Sequence, residues 1–193
     1  MASMIFPDGS RTYDLAKIRD KLGQIGITLR DWSVPAQPHV LALLNKAALG
    51  DDEKQAVLDT VGHRLEELRE SQGYSTCDMI VLHEDIPGLA DMLAKFEKIH
   101  YHTDDEVRYI LAGRGYFGFV DPSDDQFMLE VTAGDYINVP ANSEHWFTLG
   151  DSSRIKAVRY FIDTSGWSPV YTKRPPAFGG DFFTRPQIHG SAA

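Results

Sequence analysis

The chain has 193 residues, 42% of them hydrophobic, which is enough for one well-buried core and short for two. Its formal net charge of −9, without any basic cluster, disfavours nucleic acids and anionic membranes as partners, and with them a DNA-binding regulator. The single cysteine excludes an intramolecular disulfide, no apolar run reaches membrane-spanning length and the start lacks the pattern of a signal peptide, so we expect a cytoplasmic protein.

The first part of the chain is predicted to be mainly helical. Apolar residues recur at helical spacing from Leu15 to Ile25. The clearest helix begins with three acidic residues, which suits the positive end of a helix dipole, and it carries an apolar stripe through Val57 and Val61. The elements predicted up to residue 98 are helices at 15–25, 39–49, 51–74 and 86–98 and one strand at 78–85.

From residue 99 onward the apolar period changes from about four to about two. Short segments rich in aromatic and β-branched residues are separated by Gly, Pro, Asp, Asn and Ser, which is typical of an antiparallel sandwich or barrel. They lie at 106–113, 114–121, 126–134, 135–140, 145–150 and 154–163. We predict a single domain over 1–193, with a mainly helical part containing one strand (1–98), a barrel (99–172) and an irregular tail rich in Pro and Gly (173–193).

Two histidines flank one tyrosine in the stretch HYHTDDEVRYILAG, at residues 100–113. Because alternate residues of a strand face the same side, His100 and His102 would present two imidazoles together, and Glu106 shares their parity. Two histidines and one carboxylate form the set that holds non-haem iron and leaves positions open for substrate and oxygen. The pattern predicts part of a metal site with a further ligand elsewhere in the chain. The alternative is a polar rim on an ordinary barrel.

The stretch GDYINVPANSEHWFTLG, at residues 134–150, supplies His145 just after a tight turn at 140–142. Together, the two stretches resemble the paired motifs of the cupin family. The matching residues are His100, His102, Glu106 and Gly113, followed by Gly134, Pro140 and His145. Three positions depart from the motifs: Ala94 replaces an opening glycine, Asn142 replaces a second glycine and Leu149 replaces a trailing asparagine. The resemblance implies a metal site of His100, His102, Glu106 and His145.

A longer set of residues resembles the acireductone dioxygenase family of cupins, over about residues 10–172. It consists of FEKIHYHTDDEVRYILAGRGYFGFVD, VPANSEHWFTLG, AVRYFID and GWSPVY, together with the helical first part. The resemblance implies a mainly β, cupin-type antiparallel barrel (a jelly roll) with helices packed outside. It also implies one Fe(II) or Ni(II) per chain and a role in methionine salvage and methionine biosynthesis.

The resemblance further implies a small-molecule substrate, acireductone (1,2-dihydroxy-3-keto-5-methylthiopentene), that is cleaved with O₂. With Fe(II), the family yields 4-methylthio-2-oxobutanoate and formate; with Ni(II), it yields methylthiopropanoate, formate and carbon monoxide. Imidazole ligands suit both metals, so the ligand set does not choose between them.

Other positions carry over from the family one by one. Arg108 would offset the negative charge of the substrate, although a surface salt bridge is the alternative. Asp105 matches the family's acid that takes a substrate proton, a role that requires a bend at 103–105, because strict alternation points it away from the metal. Phe96, Phe147 and Trp167 would line the substrate pocket, with core packing as the alternative, and an inward Arg159 would pair with a pocket carboxylate or the substrate.

Two other classes of function stay open at this point. One is a different metal cupin enzyme, such as an isomerase or another dioxygenase, and the other is a non-catalytic cupin that binds a metal or a small ligand. We expect a monomer. The histidines outside the two motifs, His39, His63, His83 and His189, are predicted to be ordinary surface or capped residues, and Cys77 an inert thiol.

Overall fold

The computed structural model describes residues 2–150, 152, 154–163 and 168–178. The helices within these ranges are α1 Leu15–Gly23, α2 Pro38–Asn45, α3 Asp51–Gln72 and α4 Leu89–Phe96. The start of α1 is fixed by Asp14, whose side chain accepts hydrogen bonds from the N–H groups of Ala16 and Lys17. α3 ends at Gly73, which adopts a left-handed conformation with φ 81°. In the described part of the chain, no helix combines the length and apolarity needed to cross a membrane.

Strands make up most of the remaining regular structure, so the predicted mainly β architecture with several helices is confirmed. The strands are β1 Ser3–Ile5, β2 Arg11–Thr12, β3 Thr28–Asp31, β4 Thr76–Leu82, β5 His100–Tyr101, β6 Glu106–Val120, β7 Gln126–Thr132, β8 Asp135–Val139, β9 His145–Thr148, β10 Ile155–Phe161 and β11 Val170–Tyr171. Every pairing between them is antiparallel.

The long strand β6 belongs to two sets of pairings. Its first half lies between β8 and β10, and β3 and β4 extend this sheet at its two edges. Its second half lies between β7 and β9. On that side, β1 and β2 continue beyond β7, and β5 and β11 continue beyond β9. The strand thereby joins the two sheets whose facing sides form the inner core.

A bulge in β6 changes which of its residues face the inner core. Ile110 pairs with Ala157 and Ala112 pairs with Lys156, so Leu111 is the extra residue on the β6 side. Before the bulge, even-numbered positions such as Ile110 face inward; beyond it, odd-numbered positions such as Phe117 do so. Because the parity changes, the inner face stays apolar on both halves of the strand.

Helices α2 and α3 cover the opposite face of the first sheet. A second core lies between them and the sheet, and it contains Val57 and Val61 from the predicted stripe of α3, together with Leu68 of the same helix. Tyr109 and Val158 contribute to it from β6 and β10. Each face of this sheet is therefore buried, one against helices and the other against the second sheet.

Several predicted boundaries differ from the structure. α2 stops at Asn45 instead of continuing to residue 49, because the chain becomes extended at Lys46, whose carbonyl accepts a 2.5 Å hydrogen bond from the Lys156 ammonium. The two segments predicted at 106–113 and 114–121 form one strand, since the chain stays in the sheet through the bulge at Leu111 and through Gly113. Four strands, not one, precede residue 99, and β1 and β2 are too short to show any periodicity.

The end of the predicted barrel segment and the described beginning of the tail both pack against the barrel. Val170 and Tyr171 pair with Tyr101 and His100, which places β11 next to the strand that carries the first histidine motif. Farther on, Phe178 is buried at 9% exposure, with its ring 6.1 Å from that of Trp146. Strand β11 and the first residues of the tail therefore lie against the strands that carry the histidines.

Candidate metal centre

The two histidine motifs meet where β5, β6 and β9 lie side by side. His100 stands directly opposite His145 in the β5–β9 pairing, and Glu106 is the first residue of β6. One potential ligand atom from each of His100, His102, Glu106 and His145 lies within 4.8 Å of all the others. All four residues are buried, with exposures between 2% and 8%. The structure thus brings the four predicted ligands together.

The distances between these donors suit a single metal ion. His145 Nε2 lies 2.9 Å and His102 Nε2 lies 3.2 Å from Glu106 Oε2. Two donors that each lie about 2.1 Å from one ion at right angles are separated by about 3 Å. Three imidazoles with one carboxylate also suit the divalent metals of the first transition row. The residues present therefore fit the metal that the motifs imply.

Backbone carbonyls orient two of the imidazoles. His100 Nδ1 donates to the carbonyl of Lys98 at 2.7 Å, and His145 Nδ1 donates to the carbonyl of Ser143 at 2.8 Å. A carbonyl can only accept, so Nδ1 carries the proton in both rings and Nε2 is the nitrogen available to a metal. The ring positions are set before any metal binds.

The carboxylate of Glu106 is held in its charged form. Burial alone would raise its pKa, but the Arg108 guanidinium, 2.9 Å away, together with the neighbouring His102 and His145, outweighs burial and keeps the pKa well below its usual value. Arg108 is itself buried, which lowers its pKa to about 10, so it remains charged at neutral pH. The centre consequently offers a metal a charged carboxylate.

His100 is held in its neutral form. Burial, reinforced by the neighbouring His145, lowers the pKa of His100 from 6.5 to about 4. A metal ligand must be deprotonated, so His100 does not have to release a proton when a metal binds at neutral pH.

The depressed pKa of His100 predicts acid sensitivity of the metal-free protein. Below pH 6.5 the unfolded chain binds a proton at His100, whereas the folded chain binds it only near pH 4. The free energy of unfolding therefore falls as the pH drops from 6.5 to about 4. The expected loss is about 3 kcal/mol. Thermal melts of metal-free protein should show a steeper decline between these pH values than melts of His100→Asn. Equal declines in both proteins would contradict the prediction.

A cavity of about 300 Å³ opens next to the four ligands. Its wall is mainly apolar and comes from both sheets and from α4. Arg108 and Arg159 line it as well and bring positive charge close to the metal centre. Arg159 is also paired with Asp78 on the neighbouring strand β4, through a 2.6 Å hydrogen bond from Nε to Oδ1 and a second bond from its terminal nitrogen.

Most of the other predicted site residues line the cavity. Phe96, Phe147, Arg108 and Arg159 line the cavity; Phe147 packs edge-on against Phe117, with 5.1 Å between ring centroids. Phe96 lies at its mouth, 37% exposed. Trp167 lies outside the described residues.

The carboxylate of Asp105, for which the family resemblance implies a proton-transfer role, lies away from the cavity. Its two carboxylate oxygens accept hydrogen bonds from the Tyr74 hydroxyl and the Ala141 N–H, both at 3.0 Å, and it does not line the cavity. The chain does bend at Thr103 and Asp104, between β5 and β6, but the Asp105 carboxylate is directed toward Tyr74 and Ala141 and not toward the cavity wall.

Sequence reasoning missed most of the apolar wall. The missed residues are Ile80 and Leu82 of β4, Met92 of α4, Ile110 and Phe117 of β6, Ile155 and Ala157 of β10, and Pro169. Their inward direction depends on the register of β4 against β10 and on the bulge in β6, and neither leaves a local sequence signal.

The remaining histidines and the cysteine stand apart from the metal centre. His39 and His63 are exposed, and His83 lies 3.8 Å from the Asp85 carboxylate. His189 lies outside the described residues. Cys77 is half-buried, and burial raises the pKa of its thiol, which makes it a poorer nucleophile at neutral pH.

Residues 33–169 match the ARD/ARD' family. Acireductone dioxygenase from Trichodesmium erythraeum is 45% identical over 172 residues, which cover 89% of this chain and 95% of that protein. Acireductone dioxygenase from Microcystis aeruginosa is 46% identical over 173 residues, covering 90% and 94% of the two chains.

The fold is also similar to that of a solved structure. Acireductone dioxygenase from Bacillus anthracis, with a cadmium ion in its active center, superimposes with a TM-score of 0.81 at 33% identity. The match covers 89% of this chain and 98% of that one. It confirms the predicted cupin-type fold.

Proposed function

Because the chain belongs to the ARD/ARD' family, we propose that it is a dioxygenase that cleaves acireductone with O₂ at a divalent metal. His100, His102, Glu106 and His145 would hold this metal. The observation that carries the proposal is the meeting of these four donors, within 4.8 Å of one another, at the wall of an apolar cavity that also contains two arginines.

The metal is proposed to be Fe(II) or Ni(II), one per chain. With Fe(II), the expected products are 4-methylthio-2-oxobutanoate and formate, a step in methionine salvage; with Ni(II), they are methylthiopropanoate, formate and carbon monoxide. When bound, the metal would act as a Lewis acid that activates the enediol substrate toward O₂. Three neutral imidazoles and one carboxylate suit either ion, so the product depends on which metal is loaded.

The chain's own residues would bind and orient the substrate. The enediol loses protons and becomes an anion, and Arg108 and Arg159 supply positive charge on the cavity wall. Apolar residues such as Ile80, Met92 and Phe147 would surround the methylthio tail and exclude water. Arg108 also contacts Glu106 at 2.9 Å, so it would link the substrate to the metal ligand.

The proposal is tested by stripping the protein of metal and reloading it with Fe(II) or Ni(II) in separate samples. Oxygen uptake and products are then followed with acireductone, with metal-free protein as the control. We expect uptake in both loaded samples, with the keto acid from Fe(II) and carbon monoxide from Ni(II). A verifiably loaded protein that consumes no oxygen would overturn the dioxygenase proposal and favour another metal cupin.

Replacing Arg108 with methionine should lower kcat/KM for acireductone by about 10–100-fold, because a hydrogen bond to a charged group contributes about 1.5–3 kcal/mol. The loss is measured at full metal loading, so that a weaker metal site is not mistaken for weaker substrate binding. Arg19→Met, on the exposed face of α1, is the matched control and should leave kcat/KM unchanged. Parent-like kcat/KM in fully loaded Arg108→Met would remove Arg108 from the substrate site.

A further inference from the structure

We propose that Asp105 is a positioning residue that fixes the turn at 140–143 against the start of β6 and thereby sets the relative positions of the metal ligands. The proposal rests on the metal-dependent function proposed above. It replaces the proton-transfer role that the family resemblance implies for this residue. It concerns an acid that lies next to a ligand in the chain yet turns away from the metal cavity.

Both oxygens of the Asp105 carboxylate are already engaged. Oδ1 accepts from the backbone N–H of Ala141, and Oδ2 accepts from the hydroxyl of Tyr74, both at 3.0 Å. These donors come from two distant parts of the chain, the turn before β9 and the residue that follows the C-cap of α3. A carboxylate bonded at both oxygens is fixed in direction, which is the arrangement expected of a structural connection.

The turn that Asp105 holds contacts the metal ligands directly. The N–H of Asn142, which adopts a left-handed conformation with φ 64°, donates to the carbonyl of His102 at 2.8 Å. The carbonyl of Ser143 accepts from the His145 ring at 2.8 Å. One turn therefore connects to the backbone of one histidine ligand and orients the imidazole of another.

Tyr74 anchors the other side of this connection. Its hydroxyl accepts a hydrogen bond from the Asn138 amide at 3.2 Å while donating to Asp105. Asn138 lies on β8 and pairs with Val107, the residue after Glu106. Tyr74 is 1% exposed, so this anchor is rigidly packed. Asp105 thus joins the turn of His145 to the part of β6 that carries Glu106.

Removing a partner that orients metal ligands typically lowers metal affinity by about 10–100-fold. We expect a loss of this size for Ni(II) in Asp105→Ala, measured by calorimetry on the metal-stripped full chain without substrate. Asp105→Asn should stay near the parent affinity. Its carbonyl oxygen can accept from Ala141, and its amide can donate to the Tyr74 hydroxyl.

The asparagine variant separates positioning from proton transfer, because an amide keeps the two hydrogen bonds but cannot take a proton. We expect Asp105→Asn to recover a large share of the kcat lost in Asp105→Ala. Asp104→Asn is the matched control for charge: this neighbouring carboxylate makes no hydrogen bond or ion pair with the other described residues, and its loss should leave Ni(II) affinity unchanged.

Two results would overturn the proposal: parent-like Ni(II) affinity in Asp105→Ala, or kcat in Asp105→Asn as low as in Asp105→Ala with the metal fully bound. If Asp105→Ala does not fold, Tyr74→Phe carries the test, because it removes one of the two hydrogen bonds. We then expect several-fold weaker Ni(II) binding, and unchanged binding would overturn the proposal. Because Ni(II) affinity is measured without substrate, failure of the dioxygenase proposal would leave this test intact.

Discussion

His145→Ala is expected to abolish metal binding and, with it, oxygen consumption. His145 is 2% exposed, stands opposite His100 across the β5–β9 pairing and places its Nε2 2.9 Å from Glu106 Oε2. Its replacement leaves three ligands and a gap on one side of the centre. Losing a residue that merely orients a ligand lowers metal affinity by about 10–100-fold, so losing the ligand itself should exceed about 100-fold. The measurements are bound metal per chain and oxygen uptake with acireductone.

The matched control is His63→Ala, the same substitution on the exposed surface of α3. It should bind metal and consume oxygen as the parent does. Circular dichroism of both variants would show whether His145→Ala keeps its fold, which we expect because the inner core is apolar without it. If folded His145→Ala retained full metal loading and turnover, the four-ligand site would be refuted.

The ligands of the centre could be read from the sequence because their signal is local. His100, His102 and Glu106 lie within seven consecutive positions, and His145 follows a recognisable turn. Strand parity alone put the two histidines and the glutamate on one side, and the geometry agrees with that parity. That the two motifs lie together in the fold was predicted only from the resemblance to cupins. Nothing in the composition or periodicity implies that β5 and β9 pair.

The substrate cavity was harder to predict because its wall depends on long-range register. Ile80 and Ala157 face the same space because β4 pairs with β10 at those positions. A shift of one residue in that pairing would turn Ile80 to the opposite face of the sheet. For Asp105, parity and the family resemblance pointed in different directions. Its parity placed it outside the site, and only the resemblance placed it inside.

Gly113 connects the fold to the site. It follows the bulge of β6 with φ 75° and lies opposite Ile155 on β10. Because of the bulge, residues at even-numbered positions before it and at odd-numbered positions after it line the same cavity. Examples are Glu106 and Arg108 before the bulge and Phe117 after it. A Cβ atom at this glycine would lie 2.2 Å from the backbone carbonyl oxygen of Arg154, far closer than contact distance. This carbonyl accepts the Arg114 N–H at 3.3 Å, so it cannot move away without losing that hydrogen bond.

Gly113→Ala should therefore destabilise the protein strongly. A left-handed conformation costs an L residue about 1–2 kcal/mol, and forcing a methyl into filled space costs about 1–3 kcal/mol. The sum, about 2–5 kcal/mol, is a large part of a typical stability of about 5–15 kcal/mol. Gly9→Ala is the control, since Gly9 has φ 83° but nothing within 4 Å of an added Cβ. Gly9→Ala should lose only the part of the free energy of unfolding that comes from the left-handed conformation. Urea unfolding of both variants measures the difference. Equal losses would mean that the backbone at Arg154, just before β10, moves away from the added methyl group, and the predicted clash at Gly113 would be refuted.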